Sequence, residues 1–308
     1  MRAATGGLAA LVLAVAMTGC GLGPGSGHTG ADVLVTRDFG TQTLGSRASG
    51  RLPASETVMR LLEGSFSVQT RYGGGFVQSI DGLAGGQQAG RPVDWFYFVN
   101  GVLAPQGAAA TRVNPGDRIW WDRHEWGATQ TVPAVVGSFP EPFLHGGGGK
   151  RIPIRIDCAT DAGPDCGVVA GRLAAAGVVA SQAELGAPSG RDVGRVLVGT
   201  WASVSADGAA HQIDVGPAAS GVYARFSAGG RELDLLDPSA RVARVLGPDS
   251  GLVAATRYRD QQPTWVVTGT DSSGVDRAAR RLDAVTLAGH FAVAVTATGP
   301  YPAPVVAP

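Results

Sequence analysis

Cysteine, histidine, carboxylate and serine side chains supply the candidate chemistry of this 308-residue chain. Asp122-Arg123-His124-Glu125 is a close cluster of a histidine and carboxylates, but no second histidine is adjacent, so we predict the solvated end of a strand. Ser220 could pair with His211 and Asp214, and spacing leaves that triad open because triads are assembled in space. Neither a GxSxG elbow nor an oxyanion loop accompanies Ser220. The sequence therefore predicts a protein that is not an enzyme, with no catalytic residues, no metal and no cofactor.

Two glycine-containing segments could in principle hold phosphates. The run Gly146 to Gly149 is followed by Lys150-Arg151-Ile152-Pro153, where a phosphate loop would continue through Gly-Lys-Ser/Thr into a helix. The strand–turn–helix pattern of residues 265–279 lacks GxGxxG. Both segments are predicted to be turns or joints and not nucleotide sites.

The amino terminus has the pattern of an export signal. Arg2 precedes an apolar run over residues 8–17, too short to cross a bilayer, and small residues lead to Cys20. Met17-Thr18-Gly19-Cys20 resembles the lipobox of bacterial lipoproteins, in which the cysteine becomes the lipidated first residue. The resemblance implies a signal peptide at 1–19, lipidation at Cys20 and a flexible tether over 20–30. The alternative is an ordinary secreted protein whose Cys20 is lost or free.

The other two cysteines, Cys158 and Cys166, lie eight positions apart. An even number of remaining cysteines in an exported chain favours a disulfide. A metal pair or a redox site is the competing interpretation, but neither a CxxC spacing nor a nearby histidine cluster supports it. We predict a structural disulfide between them.

The composition limits the class of protein. Apolar residues make up 44% of the chain, which is enough for packed cores, and the length suggests two domains. The 25 basic and 25 acidic side chains balance, so no nucleic-acid partner is expected, since that would require a basic surface. The 47 glycines and 19 prolines follow no triplet repeat, which indicates loop-rich domains and not collagen.

Residues 31–126 have the pattern of a small α+β domain. A strand at 31–37 precedes a short helix that we expect Ser55 to cap and Gly64 to end. Strand-like segments follow, and Asn100-Gly101 is a strong hairpin-turn signal because both residues must adopt positive φ.

Several motifs of this region occur in a characteristic order. They are Tyr72-Gly73-Gly74-Gly75-Phe76-Val77, Ile80-Asp81-Gly82, Trp95-x-Tyr97-x-Val99-Asn100-Gly101-Val102, and Pro115-Gly116-Asp117-x-Ile119-x-Trp121. This pattern resembles the transcobalamin C-terminal-like domain, a β-grasp-type fold found on exported bacterial proteins. The resemblance implies a module for binding or interaction. The candidate ligand-binding residues are Tyr72, Trp95, Tyr97, Asn100 and Trp121.

The aromatic strand within this region has two interpretations. Trp95, Tyr97 and Val99 share one face, and Phe96 and Phe98 share the other. A strand that is apolar on both faces is typical of the centre of a sheet. The alternative is a partly open aromatic platform for a flat ligand, to which Trp120, Trp121 and Trp126 would contribute.

The rest of the chain is predicted to be a linker, a second domain and a tail. Residues 127–150 are rich in proline and glycine and are expected to form an interdomain linker. Alternating strand and helix patterns over 151–297 favour an α/β sandwich, and 298–308 is expected to be a C-terminal tail.

The function predicted from these features is that of a lipoprotein anchored in the cell membrane and facing the extracytoplasmic side. Its first domain, together with the cleft between the domains, would bind a small flat molecule, with a corrinoid as one candidate. The alternative is a scaffold or interaction protein of the cell envelope without a small-molecule ligand. The expected partners are the membrane, through the lipid anchor, and either that ligand or an envelope protein.

Overall fold

The computed structural model describes residue 1 and residues 30–306. The predicted signal peptide after Met1, the lipidation site Cys20 and all of the tether except Gly30 lie outside these described residues. Within the described part, no helix is long and apolar enough to cross a membrane. The fold is mixed α/β with a predominance of sheet, in agreement with the predicted α+β class.

The first body, residues 30–126, is a twisted mixed sheet with a helix on one face. Its elements are β1 (Asp32–Arg37), β2 (Gln42–Ala48), α1 (Val58–Glu63), β3 (Val68–Arg71), β4 (Phe76–Ile80), β5 (Leu83–Ala84), β6 (Gly86–Gln88), β7 (Arg91–Val99), β8 (Val102–Leu103) and β9 (Arg118–Glu125). The described strands of the main sheet run in the order β2-β1-β9-β7-β6, with β8 beside β7. Strand β1 is parallel to β9, whereas β7 is antiparallel to β9. Strands β3, β4 and β5 form a small antiparallel sheet.

Helix α1 covers the inner face of the main sheet. The helix begins after Thr57, whose hydroxyl accepts a hydrogen bond from Arg60 N at 3.3 Å, so the predicted cap at Ser55 is two residues too early. Gly64 ends the helix, as predicted. Val58 and Leu62 are fully buried against the sheet. The helix therefore makes the inner face of the sheet a closed core.

The second body, residues 151–306, has a larger mixed sheet. Its elements are β10 (Ile154–Cys158), α2 (Asp165–Ala175), β11 (Ala180–Glu184), β12 (Gly194–Thr200), α3 (Trp201–Val204), α4 (Gly208–Val215), α5 (Pro217–Ser220), β13 (Ala224–Phe226), β14 (Leu233–Leu236), β15 (Val242–Leu246), β16 (Gly251–Thr256), β17 (Thr264–Gly269), α6 (Ser272–Arg280), α7 (Ala284–Leu287), β18 (Ala292–Thr296) and β19 (Gly299–Ala303). The strand order is β11-β10-β12-β17-β16-β18-β19, and β13, β14 and β15 form a separate antiparallel sheet. Helices α2 and α6 pack together on one face of the larger sheet.

The C-terminal segment differs from the predicted tail over 298–308. Residues Gly299–Ala303 form β19, which pairs antiparallel with β18 at the edge of the larger sheet. Val305 then donates its N–H to Leu236 O at 2.8 Å and joins this segment to β14. The hairpin with β18 and the hydrogen bond to the distant strand β14 hold the segment in place.

The segment 127–150 is a packed part of the fold and not the flexible linker that its composition predicts. Val132 and Val135 are buried in a core shared with the first body, and Phe139 and Phe143 are buried in the core of the second. Backbone hydrogen bonds join it to both bodies: Val135 N donates to Gly101 O at 2.8 Å, and Val136 N donates to Phe291 O at 3.1 Å. Burial of its apolar side chains outweighs the flexibility that its glycines and prolines suggest.

The two bodies share one hydrophobic core across their junction. The outer face of the first sheet contributes Phe98 and Trp120, which belong to the same buried cluster as Phe291 and other side chains of the second body. Gly40, with a φ of +80°, permits the closest approach, since a Cβ placed there would lie 1.8 Å from Gly289 O. The two bodies are therefore in direct backbone contact at this point.

The predicted disulfide between Cys158 and Cys166 is confirmed. The bond joins the end of β10 to the first turn of α2, with 6.0 Å between the two Cα atoms. The loop that it closes carries the 3₁₀ turn Thr160–Ala162, in which Ala162 is buried. The bridge therefore fixes the first strand-to-helix connection of the second body.

Candidate functional site

Three of the predicted ligand-binding residues are core side chains. Trp95, Tyr97 and Trp121 are at most 8% exposed, and the rings of Tyr97 and Trp121 stack with centroids 4.7 Å apart beneath α1. Trp95 Nε1 donates to Leu83 O at 3.0 Å, and the Tyr97 hydroxyl lies 2.8 Å from Thr111 Oγ1. These rings present no open face to solvent, so the interpretation as a central buried strand describes them and the surface platform does not form.

The other two predicted residues are separated from this group and from each other. Asn100 is fully buried at the β7–β8 turn with a φ of +54°, and its amide nitrogen donates to Asp117 Oδ1 and Gly146 O, both at 2.8 Å. Tyr72 is 86% exposed and meets only Phe76, edge-on at 6.3 Å, among the described ring contacts. The five predicted residues therefore do not converge on a common site.

A cavity of about 460 Å³ lies instead where the first body meets β14, β15 and the C-terminal segment. We call it the junction cavity. Its lining residues are Asp38, Phe39, Gln88, Ala89, Arg91, Val93, Glu125, Asp237, Pro238, Arg241, Ala243, Val305 and Val306. The first body contributes the ends of β1, β6, β7 and β9, and the second body contributes the rest. The cavity exists only because the two bodies are packed together.

Ion pairs lie on the walls of the junction cavity. Arg91 Nη1 is 3.0 Å from Glu125 Oε2, and Arg241 Nη2 is 2.9 Å from Asp237 Oδ2. Glu125 also accepts a long hydrogen bond from the Ser239 hydroxyl at 3.5 Å, which crosses from one body to the other. These pairs place both signs of charge beside apolar side chains.

A buried polar network supports the cavity from behind. The Asp122 carboxylate, fully buried, accepts hydrogen bonds from Phe39 N at 3.1 Å and Gly40 N at 2.9 Å, and it lies 2.8 Å from His124 Nδ1. Asp122 therefore holds the β1–β2 turn that brings Asp38 and Phe39 to the cavity. The prediction that residues 122–125 form a solvated strand end is wrong, because the turn and the second body cover this end of β9.

Aromatic rings fill the space between this network and the second body. The His124 ring lies between Phe96, at 4.5 Å, and Phe39, at 4.7 Å, with Phe291 edge-on at 5.3 Å. Tyr223 packs edge-on against Phe39 at 5.1 Å, and its buried hydroxyl has no hydrogen-bond partner among the described residues. Burial, and after it the Glu125 carboxylate, raises the pKa of Tyr223, so the phenol stays neutral and keeps its proton to donate.

Three lining residues of the junction cavity have a strained backbone. Asp38, Phe39 and Ala89 have φ of +56°, +60° and +50°, and all three line the junction cavity. A non-glycine residue in this region costs free energy and persists where the surroundings impose it. The hydrogen bonds that Phe39 N and Gly40 N donate to the Asp122 carboxylate hold the turn that contains the first two.

Residues considered for other chemistry lie elsewhere. The Ser220 hydroxyl donates to Gly216 O at 3.0 Å and accepts from Val222 N at 3.0 Å, and no described hydrogen bond joins it to His211 or Asp214. Across residues 30–306, histidine, cysteine and carboxylate side chains form no group of three or more that could hold a metal ion.

Comparisons with known proteins bear on the first body. No curated protein matches the chain. A solved structure titled as a "putative metal binding protein" from Ruminococcus gnavus is 18% identical, with a TM-score of 0.26; the match covers 32% of this chain and 98% of that one. Residues 55–125 match the family described as Domain of unknown function (DUF4430). The part of the chain from α1 to the end of β9 is therefore a DUF4430 domain.

Proposed function

We propose that this protein is a lipid-anchored extracytoplasmic protein that binds one small molecule in the junction cavity. The observation that carries the proposal is the cavity itself, a concave space of about 460 Å³ between the DUF4430 domain and the second body. Sites for small ligands are typically clefts of roughly 300–1,000 Å³ at the interfaces of domains, with apolar walls and a few polar groups. The lining of the junction cavity has this character.

The cavity is also built to keep its shape without a ligand. Asp122 fixes the β1–β2 turn, the shared core fixes the two bodies, and the Arg91–Glu125 and Arg241–Asp237 pairs lie across the walls. A preformed site loses less conformational entropy on binding, which favours affinity.

The topology of the first sheet supports the β-grasp-type assignment within this proposal. A β-grasp sheet places its first and last strands side by side and parallel, and β1 and β9 have this relation, with α1 crossing the sheet. The resemblance to the transcobalamin C-terminal-like domain implies a ligand held between the small domain and a second domain, as in the cobalamin carriers. The volume of the junction cavity favours a ligand smaller than a whole corrinoid.

The test measures the binding of small molecules to the full chain purified in detergent. Thermal stabilisation and ligand-observed NMR detect the binding. The probes are a library of small molecules and a corrinoid. Ala243→Trp places a large ring at the cavity wall and should abolish binding. Val245→Trp, on the same strand but outside the cavity lining, is the matched control and should bind normally. The proposal fails if no compound binds, or if every compound that binds does so equally well in Ala243→Trp.

Lipid anchoring through Cys20 is tested separately. The Cys20→Ala variant should be exported and released from membranes, because no acyl chains remain to hold it. A Cys20→Ala protein that stays in the membrane fraction after a high-salt wash would show that another feature holds it there.

A scaffold role in the cell envelope is the second candidate, and the edge of the first sheet favours it. Strand β2 ends the sheet order, and its residues are almost all exposed, so its outer edge is available to another strand. Crosslinking from Leu44, 44% exposed on this strand, would be carried out in intact membranes. Capture of a defined envelope protein supports this role, and contacts with only lipid or a second copy of the chain count against it.

A further inference from the structure

One carboxylate of the junction cavity differs from the other two in its pairing. Glu125 and Asp237 each lie within 3.0 Å of a guanidinium that also lines the cavity. Asp38 Oδ2 is 3.6 Å from Arg37 Nε, beyond hydrogen-bond distance, and Arg37 Nε instead donates to Gln42 Oε1 at 2.8 Å. The lining has three acidic and two basic residues and therefore one net negative charge, and Asp38 has the longest ion pair of the three carboxylates, with a partner outside the lining.

The remaining walls are apolar. Val93 of β7 and Val305 and Val306 of the C-terminal segment line the same cavity as Asp38. A ligand that satisfies this arrangement has a compact apolar part and a single polar end. Charge complementarity at Asp38 then selects a positive polar end.

We propose that the junction cavity takes a small amphipathic amine, whose ammonium group pairs with the Asp38 carboxylate and whose apolar part lies against Val93, Val305 and Val306. The proposal rests on the proposed function, because it names the class of ligand for the same cavity. Desolvation raises the pKa of Asp38, and a bound cation would counteract that effect.

Three probes that share the same apolar ring and differ in charge test the class of ligand. They are 2-phenylethylammonium, 2-phenylethanol and phenylacetate, titrated by NMR against the full chain in detergent. The ammonium probe should bind tightest, and phenylacetate weakest. Asp38→Asn should weaken the ammonium probe about three- to tenfold and leave the alcohol unchanged. Asparagine tolerates the positive φ of this position, so the turn should survive the substitution.

Asp249→Asn is the matched control, because Asp249 also has a positive φ, +62°, and lies outside the cavity lining. This variant should bind all three probes as the unsubstituted chain does. Equal binding of the three probes, tightest binding of phenylacetate, or an unchanged ammonium affinity in Asp38→Asn overturns the amine proposal. If library compounds still bind and Ala243→Trp still blocks them, the proposed function stands although the amine proposal fails. If Ala243→Trp blocks nothing, both proposals fail.

Discussion

Phe291→Ala is the sharpest test of the shared core that creates the junction cavity. Phe291 belongs to the second body and is 3% exposed. Its ring lies edge-on to Phe39, Phe98, Trp120 and His124 of the first body, with centroids between 5.2 and 5.7 Å apart. Removing it empties the space between the two bodies while leaving the backbone of both intact.

The expected loss of stability follows from these contacts. Truncation of a buried phenylalanine costs about 3–5 kcal/mol, and each favourable aromatic pair adds about 0.5–1.5 kcal/mol beyond its burial. With four ring contacts, the upper part of the first range, about 4–5 kcal/mol, is expected. For a chain of 308 residues that corresponds to a decrease in Tm of about 6–8 °C.

The assay combines calorimetry with hydrogen exchange resolved along the chain. Exchange should increase in β7 and β9, although the substitution lies in the second body. Leu282→Ala is the control, since Leu282 is fully buried in the core beneath α6, away from the junction. Leu282→Ala should lower the free energy of unfolding by a similar amount without a local increase of hydrogen exchange in β7 and β9. Exchange that increases only in the second body for Phe291→Ala would refute the shared core.

Three further predictions follow from the second body. Cys166→Ser should lower the free energy of unfolding by about 2–3 kcal/mol in urea titrations, and a reductant should then have no further effect, because the bridge to Cys158 closes a short loop. Asp157→Asn should cost about 3–5 kcal/mol, since fully buried Asp157 pairs with two arginines; a loss below about 1 kcal/mol would contradict this. Burial lowers the pKa of His290 below 6.5 in the folded chain. Just below pH 6.5 the unfolded chain therefore binds more protons than the folded chain, and the free energy of unfolding should decrease as the pH falls below 6.5. His290→Gln should flatten part of this decrease in urea titrations at pH 5 to 7, and an identical slope would argue against it.

Local patterns in the sequence were reliable where the physical cause is local. The Asn100-Gly101 turn forms because both residues adopt positive φ, and Gly64 ends the first helix. The disulfide follows from cysteine number and spacing. Consecutive aromatic residues, which lie on both faces of a strand, correctly predicted a strand buried on both faces.

The same patterns failed where a distant element decides the outcome. Proline and glycine content predicted a linker at 127–150, yet its apolar side chains are buried by both bodies. Asp122 and His124 have the composition of an exposed strand end, but the β1–β2 turn, Phe96 and Phe291 bury them. The aromatic motif suggested a binding surface. Large rings also remove the most apolar area from water when they pack in a core, and here helix α1 covers them.

The sequence by itself determined the Asn100-Gly101 turn, the end of α1 at Gly64 and the disulfide, because turn chemistry and residue spacing act over short distances. Only the tertiary structure decided where a ligand could lie. The junction cavity takes its walls from residues as far apart as Asp38 and Val306, and they meet because burying the outer face of the first sheet excludes water from both bodies at once.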